Sequence, residues 1–186
     1  MPLPPLSIAP ELHVQEWLNT NDAPTLAKLR GQVVFLHAFQ LLCPGCIAQA
    51  IPQVQRIERG FSGARLQVLG LHTVFEHHEA MAPVTLRAFL HEYRITTPVA
   101  IDMPDPYSDI PITMQRYGLR GTPSSVLIGR NGTILHQSFG VEDDLAVGAR
   151  IAAALAAPIP SDVQDPGGDC ATGTCTIPAN SLGKRR

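Results

Sequence analysis

No stretch of about eighteen or more apolar residues occurs in the chain, because the longest candidate is broken by His37, Gln40 and Pro44; no segment reads as a membrane-spanning helix. Residues 1–10, MPLPPLSIAP, have neither the basic start nor the continuous apolar run of a secretory signal. Basic runs are missing too, apart from Lys184, Arg185 and Arg186 at the end, which read as a solvated terminus. With a net charge of −2, this speaks against general affinity for nucleic acid or for an anionic membrane. No internal repeat is visible. Cysteine is scarce, 4 in 186 residues, and a chain of this length buries a core without covalent staples. At 45% hydrophobic and 16% charged, the composition is that of a globular, soluble protein. The expectation is a cytoplasmic protein, in which cysteines are more often catalytic or metal-binding than structural.

Two of the four cysteines sit in an informative place. Val33–Phe39 is rich in β-branched and aromatic residues and short enough for a buried strand. Beyond it, Ile47, Ala50, Ile51, Val54 and Ile57 recur at helical spacing, so Cys43-Pro44-Gly45-Cys46 lies where a strand turns into a helix. Pro44 suits the first helical position, where its missing N–H costs nothing. Cys43 then stands at a helix N-terminus, whose unpaired N–H groups and dipole favour a thiolate, and Cys46, one turn in, can close a disulfide. One such pair does not complete a tetrahedral zinc site, and Pro-Gly between the cysteines suits a turn better than a core run.

The rest of the chain reads as alternating strands and helices. Glu11–Leu18, with Leu12, Val14 and Trp17 inward, suggests an edge strand, and Thr25–Leu29 allows one helical turn ended near Gly31. Leu66–Leu71 is a second buried strand, parallel to the first across the cysteine helix. Val84, Leu86, Phe89, Leu90 and Tyr93 can share one helical face, and Thr97–Ile101 reads as a short strand. Met103–Pro111 is a loop, Ile112–Tyr117 a short helix, and Ser125–Ile128 with Thr133–Ser138 a hairpin turning at Arg130-Asn131-Gly132. Glu142–Leu155 closes the pattern as an alanine-rich helix.

The strand–Cys-Pro-Gly-Cys–helix arrangement resembles the thioredoxin superfamily. It is most similar to the TlpA-like and redoxin branch, in which proline commonly follows the first cysteine and a second proline, here Pro52, interrupts the helix. The helix and strand between Thr73 and Asp102 look like that branch as well, with phrases such as HTVFEHHE and HEYRITTPVAID. The resemblance covers roughly residues 11–157. It implies an α/β, thioredoxin-like fold: a central mixed β-sheet flanked by helices, with an extra helix–strand insertion. It further implies that Thr122-Pro123 is a cis peptide facing the cysteines and offering the Thr122 backbone to substrate. His37, six residues before Cys43, takes the place where thioredoxins commonly carry a buried acid that relays the proton of the second cysteine. The residues allow either a hydrogen-bonded core histidine or such a relay, for which a pKa near neutrality would be suitable.

The implied activity is thiol:disulfide oxidoreduction with a dithiol or disulfide-containing protein, in the direction of reductase, with no cofactor, no metal, no nucleic acid and no membrane. Two alternatives stay open. A peroxiredoxin-like peroxidase usually has threonine three residues and proline seven residues before its cysteine, where this chain has Gln40 and Leu36. A metal-binding or copper-handling module would use Cys43, Cys46 and a histidine. His72, His77 and His78 with Glu76 and Glu79 supply metal-binding residue types without a known ligand spacing, and Asp102, Asp105 and Asp109 read as a plain solvated loop, the alternative being a loop that steers a basic partner. The organisation expected is a domain over residues 1–157 and a flexible tail over 158–186, rich in Pro, Gly, Ser, Thr and Asp. That tail carries Cys170 and Cys175, a candidate second redox pair.

Overall fold

The structure, a computed structural model, describes residues 7–158. The expected tail beyond Pro158, with Cys170 and Cys175, lies outside the described residues. Strand β2, Val33–Phe39, is buried at every position and occupies an interior place in a six-stranded sheet of order β1-β4-β3-β2-β5-β6. The remaining strands are β1, Val14–Leu18; β3, Leu66–His72; β4, Val99–Asp102; β5, Ser124–Ile128; and β6, Ile134–Phe139. β2, β3 and β4 run parallel, while β1, β5 and β6 pair antiparallel to their neighbours. Burial on both faces explains why β2 reads as an unbroken apolar run rather than as an alternation.

Alternate residues of β2 feed two cores. Val34, Leu36 and Ala38 pack with Leu69, Leu71, Met114 and Tyr117 on one face. Val33 and Phe35 pack on the other against Val54 and Ile57 of α1, Ile51–Gly60, and Val147 and Ile151 of α4, Asp144–Ala156. Phe39 joins Cys46, Ile51, and Leu86 and Leu90 of α2, Pro83–Glu92. A short α3, Ile112–Arg116, lies after the 103–111 loop.

Thr25–Leu29 closes the single turn expected of it, through the Leu29 N–H to the Thr25 carbonyl at 3.1 Å, whereas the expectation for α2 is corrected. Within α2 only Leu86 and Leu90 are fully buried; Val84 is 70% exposed and Tyr93 55% exposed. The helix rests on a narrow stripe one turn long, and Tyr93, just past its end, stacks on Phe89 from outside at 4.3 Å.

Helix α4 is started by Asp143, whose Oδ1 accepts the N–H groups of Leu145 (2.9 Å) and Ala146 (3.3 Å). Asp143→Ala should cost about 1 kcal/mol in urea unfolding, the usual scale for a lost N-cap. A change within a few tenths would show that the cap does not hold this helix.

Candidate active site

The cysteine loop leaves the end of β2 and enters a helix whose first part is unusually wide. Over Cys46–Ala50 the turns are π-helical, with the Ile51 N–H reaching back to the Cys46 carbonyl. Pro52 has no N–H to give, and in a regular α-turn its ring would crowd the carbonyl of Ala48, so a widened turn just before it relieves the clash. This widened segment begins at Cys46 itself.

Cys43 and Cys46 are joined by a disulfide, with Cα atoms 5.2 Å apart. Cys43 is half-buried, whereas Cys46 is fully buried against Phe39, Ile51 and Leu86. The Cys46 N–H donates to Cys43 Sγ at 3.2 Å, and the Ile47 N–H donates to the Cys43 carbonyl at 3.1 Å. An N–H aimed at Sγ at a helix start stabilises negative charge there once the disulfide opens.

Opposite the cysteines stands the loop before β5. Thr122-Pro123 is a cis peptide, and the Thr122 carbonyl oxygen lies 3.4 Å from Cys43 Sγ. Gly45 packs under the Pro123 ring: a Cβ there would sit 3.5 Å from Pro123 Cδ. The two loops are also tied by Gln40, which is 1% exposed and donates from Nε2 to Thr122 Oγ1 at 3.3 Å. In the sequence Gln40 served to break the longest apolar stretch and to argue against a peroxidase, not as a brace. Its signal as a brace was a polar side chain in an apolar run three residues before Cys43. Behind the proline loop, Phe139 fills the space a side chain at Gly121 would need, since a Cβ there would lie 2.8 Å from Phe139 Cε2.

His37 does not have the near-neutral pKa that would suit a relay. It pairs between Gly70 of β3 and Ser125 of β5, stacks on Phe39 with centroids 5.6 Å apart, and its burial pushes the pKa down to about 4. It lines a small pocket of about 20 Å³ with Phe39, Ile51, Val54, Gln55 and Thr97, and neither cysteine borders that space. Its Nε2 has no hydrogen-bond partner among the described residues.

The histidines further along do not gather. His72 is buried at the end of β3, 5.4 Å from the Phe39 ring, whereas His77 and His78 are exposed together with Glu76 and Glu79. Among the described residues no group of three or more His, Cys, Asp or Glu is placed to hold a metal ion.

A disulfide at the mouth of a helix, following an interior strand of this sheet, defines a thiol:disulfide oxidoreductase of thioredoxin-like fold. No family model and no curated protein matches the chain. Solved structures do. One described as a thioredoxin-like superfamily protein is 49% identical, with a TM-score of 0.80, covering 82% of this chain and 99% of its own. A thiol-disulfide isomerase from Corynebacterium glutamicum is 44% identical, with a TM-score of 0.76, over 81% of this chain and 98% of its own. A third, from Chlorobium tepidum and described as a thiol:disulfide interchange protein DsbE, is 27% identical at a TM-score of 0.62, over 83% and 99%. The chain belongs to the thioredoxin superfamily, in its TlpA-like and redoxin branch. No helix among the described residues is long and apolar enough to cross a membrane.

Proposed function

We propose that the protein reduces disulfides in a protein substrate, with Cys43 as the attacking sulfur and Cys46 as the resolving one. Carrying this reading is the asymmetry of the pair: Cys43 half-exposed beside the Thr122 carbonyl, Cys46 enclosed behind it. The Cys43 thiolate attacks one sulfur of the substrate disulfide, the S–S bond breaks, and the other substrate sulfur leaves as a thiolate and takes a proton. The Cys46 thiolate, having lost its own proton, then attacks Cys43 in the mixed disulfide and releases the second substrate thiol. Two electrons pass to the substrate, and Cys43–Cys46 is left oxidised. Thr122 and Pro123 form the ledge against which an extended substrate lies, in the manner of an added strand. His37, kept neutral by its burial, transfers no proton in this scheme.

A cytoplasmic address, with neither nucleic acid nor membrane as partner, accompanies this reading. Trapping the thiols by rapid alkylation in living cells tests it. A Cys43–Cys46 pair held mostly reduced agrees with a reductase, and a fully oxidised pair reverses the direction.

Cys170 and Cys175 enter the proposal as a second pair that exchanges with the first. Twelve residues, Pro158–Asp169, separate them from the domain. That length spans roughly 20 Å as a coil and about 40 Å at most, against a radius of gyration near 15 Å for a domain of this size. Tethering raises the effective concentration towards the millimolar range. Combining Cys46→Ser with Cys175→Ser should trap an intramolecular Cys43–Cys170 disulfide, visible by mass spectrometry. If neither this nor the converse combination forms the trap, and a chain ending at Pro158 turns over like the full one, the relay is dropped.

A further inference from the structure

We propose that a groove beside the disulfide holds a lysine or arginine side chain of the disulfide-bearing polypeptide, and so selects which cysteines are acted on; this rests on the function proposed above. The groove has a volume of about 390 Å³ and opens at the carboxyl ends of β3 and β4. β2 runs parallel to them and delivers the cysteine loop at the same end of the sheet, the end at which sheets of this kind take their ligands. Contact with the active loop is direct, since Met81, in the groove wall, accepts the Leu42 N–H on Sδ at 3.4 Å, and Leu42 precedes Cys43.

The charge of the groove has one sign. Asp102, Asp105 and Asp109 line it, and no lysine or arginine does. Asp102 is committed to the fold: buried, it accepts the N–H groups of Thr113 (2.9 Å) and Met114 (3.0 Å) and anchors the start of α3. Asp105 is half-buried and held in place, accepting the Tyr107 N–H at 2.9 Å and the Gln115 side-chain amide at 2.8 Å, with lone pairs left over. Asp109 is exposed and has no partner among the described residues.

A second observation is independent of the acids. His72 lines the same groove, is 2% exposed, and its Nε2 finds no hydrogen-bond partner among the described residues. Unsatisfied buried nitrogens are uncommon, and this one belongs to a side chain in the groove wall. Burial holds His72 down to about 4, so at neutral pH it adds no positive charge to offset the carboxylates.

These features fit a long side chain with an apolar stem and a cationic head better than they fit a bare ion. The carboxylates do not converge with the histidine as metal ligands would. Apolar side chains line the groove beside the acids, Val74, Met81, Pro83 and Ile101 among them. Such a lining covers a methylene stem while the acids meet the charge. The volume falls at the small end of ligand pockets, roughly 300–1,000 Å³, and admits one or two residues but not a folded domain.

The test is single-turnover reduction by prereduced full-length protein. Its substrates are short peptides in which one cysteine is disulfide-linked to a reporter thiol and a single lysine, serine or glutamate is walked along the flanks. At low salt, lysine at one or two favoured positions should raise the rate constant about tenfold or more over glutamate, and the ratio should collapse near 1 M salt. D105N with D109N, which removes both charges and keeps one acceptor oxygen at each position, should bring the ratio to within about twofold. The serine-peptide rate of the wild-type protein reports thiol–disulfide exchange itself, so its loss counts against the function proposed above, and the lysine-to-glutamate ratio alone decides the groove. Equal rates for all three peptides at every position, or a preference that survives in the D105N/D109N variant, would overturn the proposal. So would self-association in sedimentation that the same variant abolishes, since a second copy of the chain would then fill the groove.

Discussion

Cys43→Ser should abolish disulfide reduction, on the order of 10³-fold or more, the scale on which losing a covalent nucleophile falls. A hydroxyl at that position stays protonated at neutral pH, and the Cys46 N–H that serves Cys43 Sγ at 3.2 Å has no anion to stabilise. Cys46→Ser has a different consequence: Cys43 still attacks, but the mixed disulfide has no resolving partner and accumulates. The pair of variants therefore separates attack from resolution. Brief alkylation of the reduced protein should label Cys43 well before Cys46, which is fully buried. Equal labelling, or a Cys43→Ser variant that keeps turning over, would reverse the assignment.

How much of this site was legible in the sequence depended on whether its parts were near one another along the chain. Strand β2, the cysteine loop and the following helix form one continuous stretch, so apolar pattern and Cys-x-x-Cys spacing were enough to place the disulfide at a helix start. Pro52 marked an interruption of that helix, but the π-helical turn over Cys46–Ala50 was not legible. Thr122-Pro123 is 79 residues from Cys43 in the chain. Only the resemblance to thioredoxins put the two face to face. Gln40, which braces those loops, was visible as a residue but its partner was not. The acidic groove is assembled from residues after β3 and residues after β4, brought together by parallel pairing, so its aspartates read as an ordinary solvated loop. Helix α2 shows the opposite error: periodicity marked five residues as one face, whereas packing uses two in full, because the helix touches the sheet for only one turn.

The same difficulty applied to His37 and His72, whose titration is set by what folds over them, and it leads to a large expected effect of pH. Both are buried, and desolvation pushes each from an ordinary value of 6.5 down to about 4. In the unfolded chain each takes up a proton near pH 6.5, while in the folded protein it stays neutral until about pH 4. Between those values the unfolded state binds more protons, so stability is complete above pH 6.5 and is withdrawn as pH falls towards 4. At about 1.4 kcal/mol for each pH unit, each histidine withdraws about 3 kcal/mol across that window. Together they remove a sum comparable with the whole stability of an ordinary domain, about 5–15 kcal/mol. Asp144, which Arg56 and Gln53 hold below the usual carboxylate range, acts in the same direction at still lower pH. Asp102 opposes them, because burial raises its pKa despite the N–H groups it accepts, and its protonation favours the folded state. Urea unfolding at pH 7 and at pH 4 should therefore show a fall of several kcal/mol, with about two protons taken up on unfolding near pH 5. His37→Asn and His72→Asn should each flatten that dependence by about half, whatever they do to stability at pH 7. If both variants together leave the slope between pH 7 and pH 4 unchanged, the two histidines are not its source.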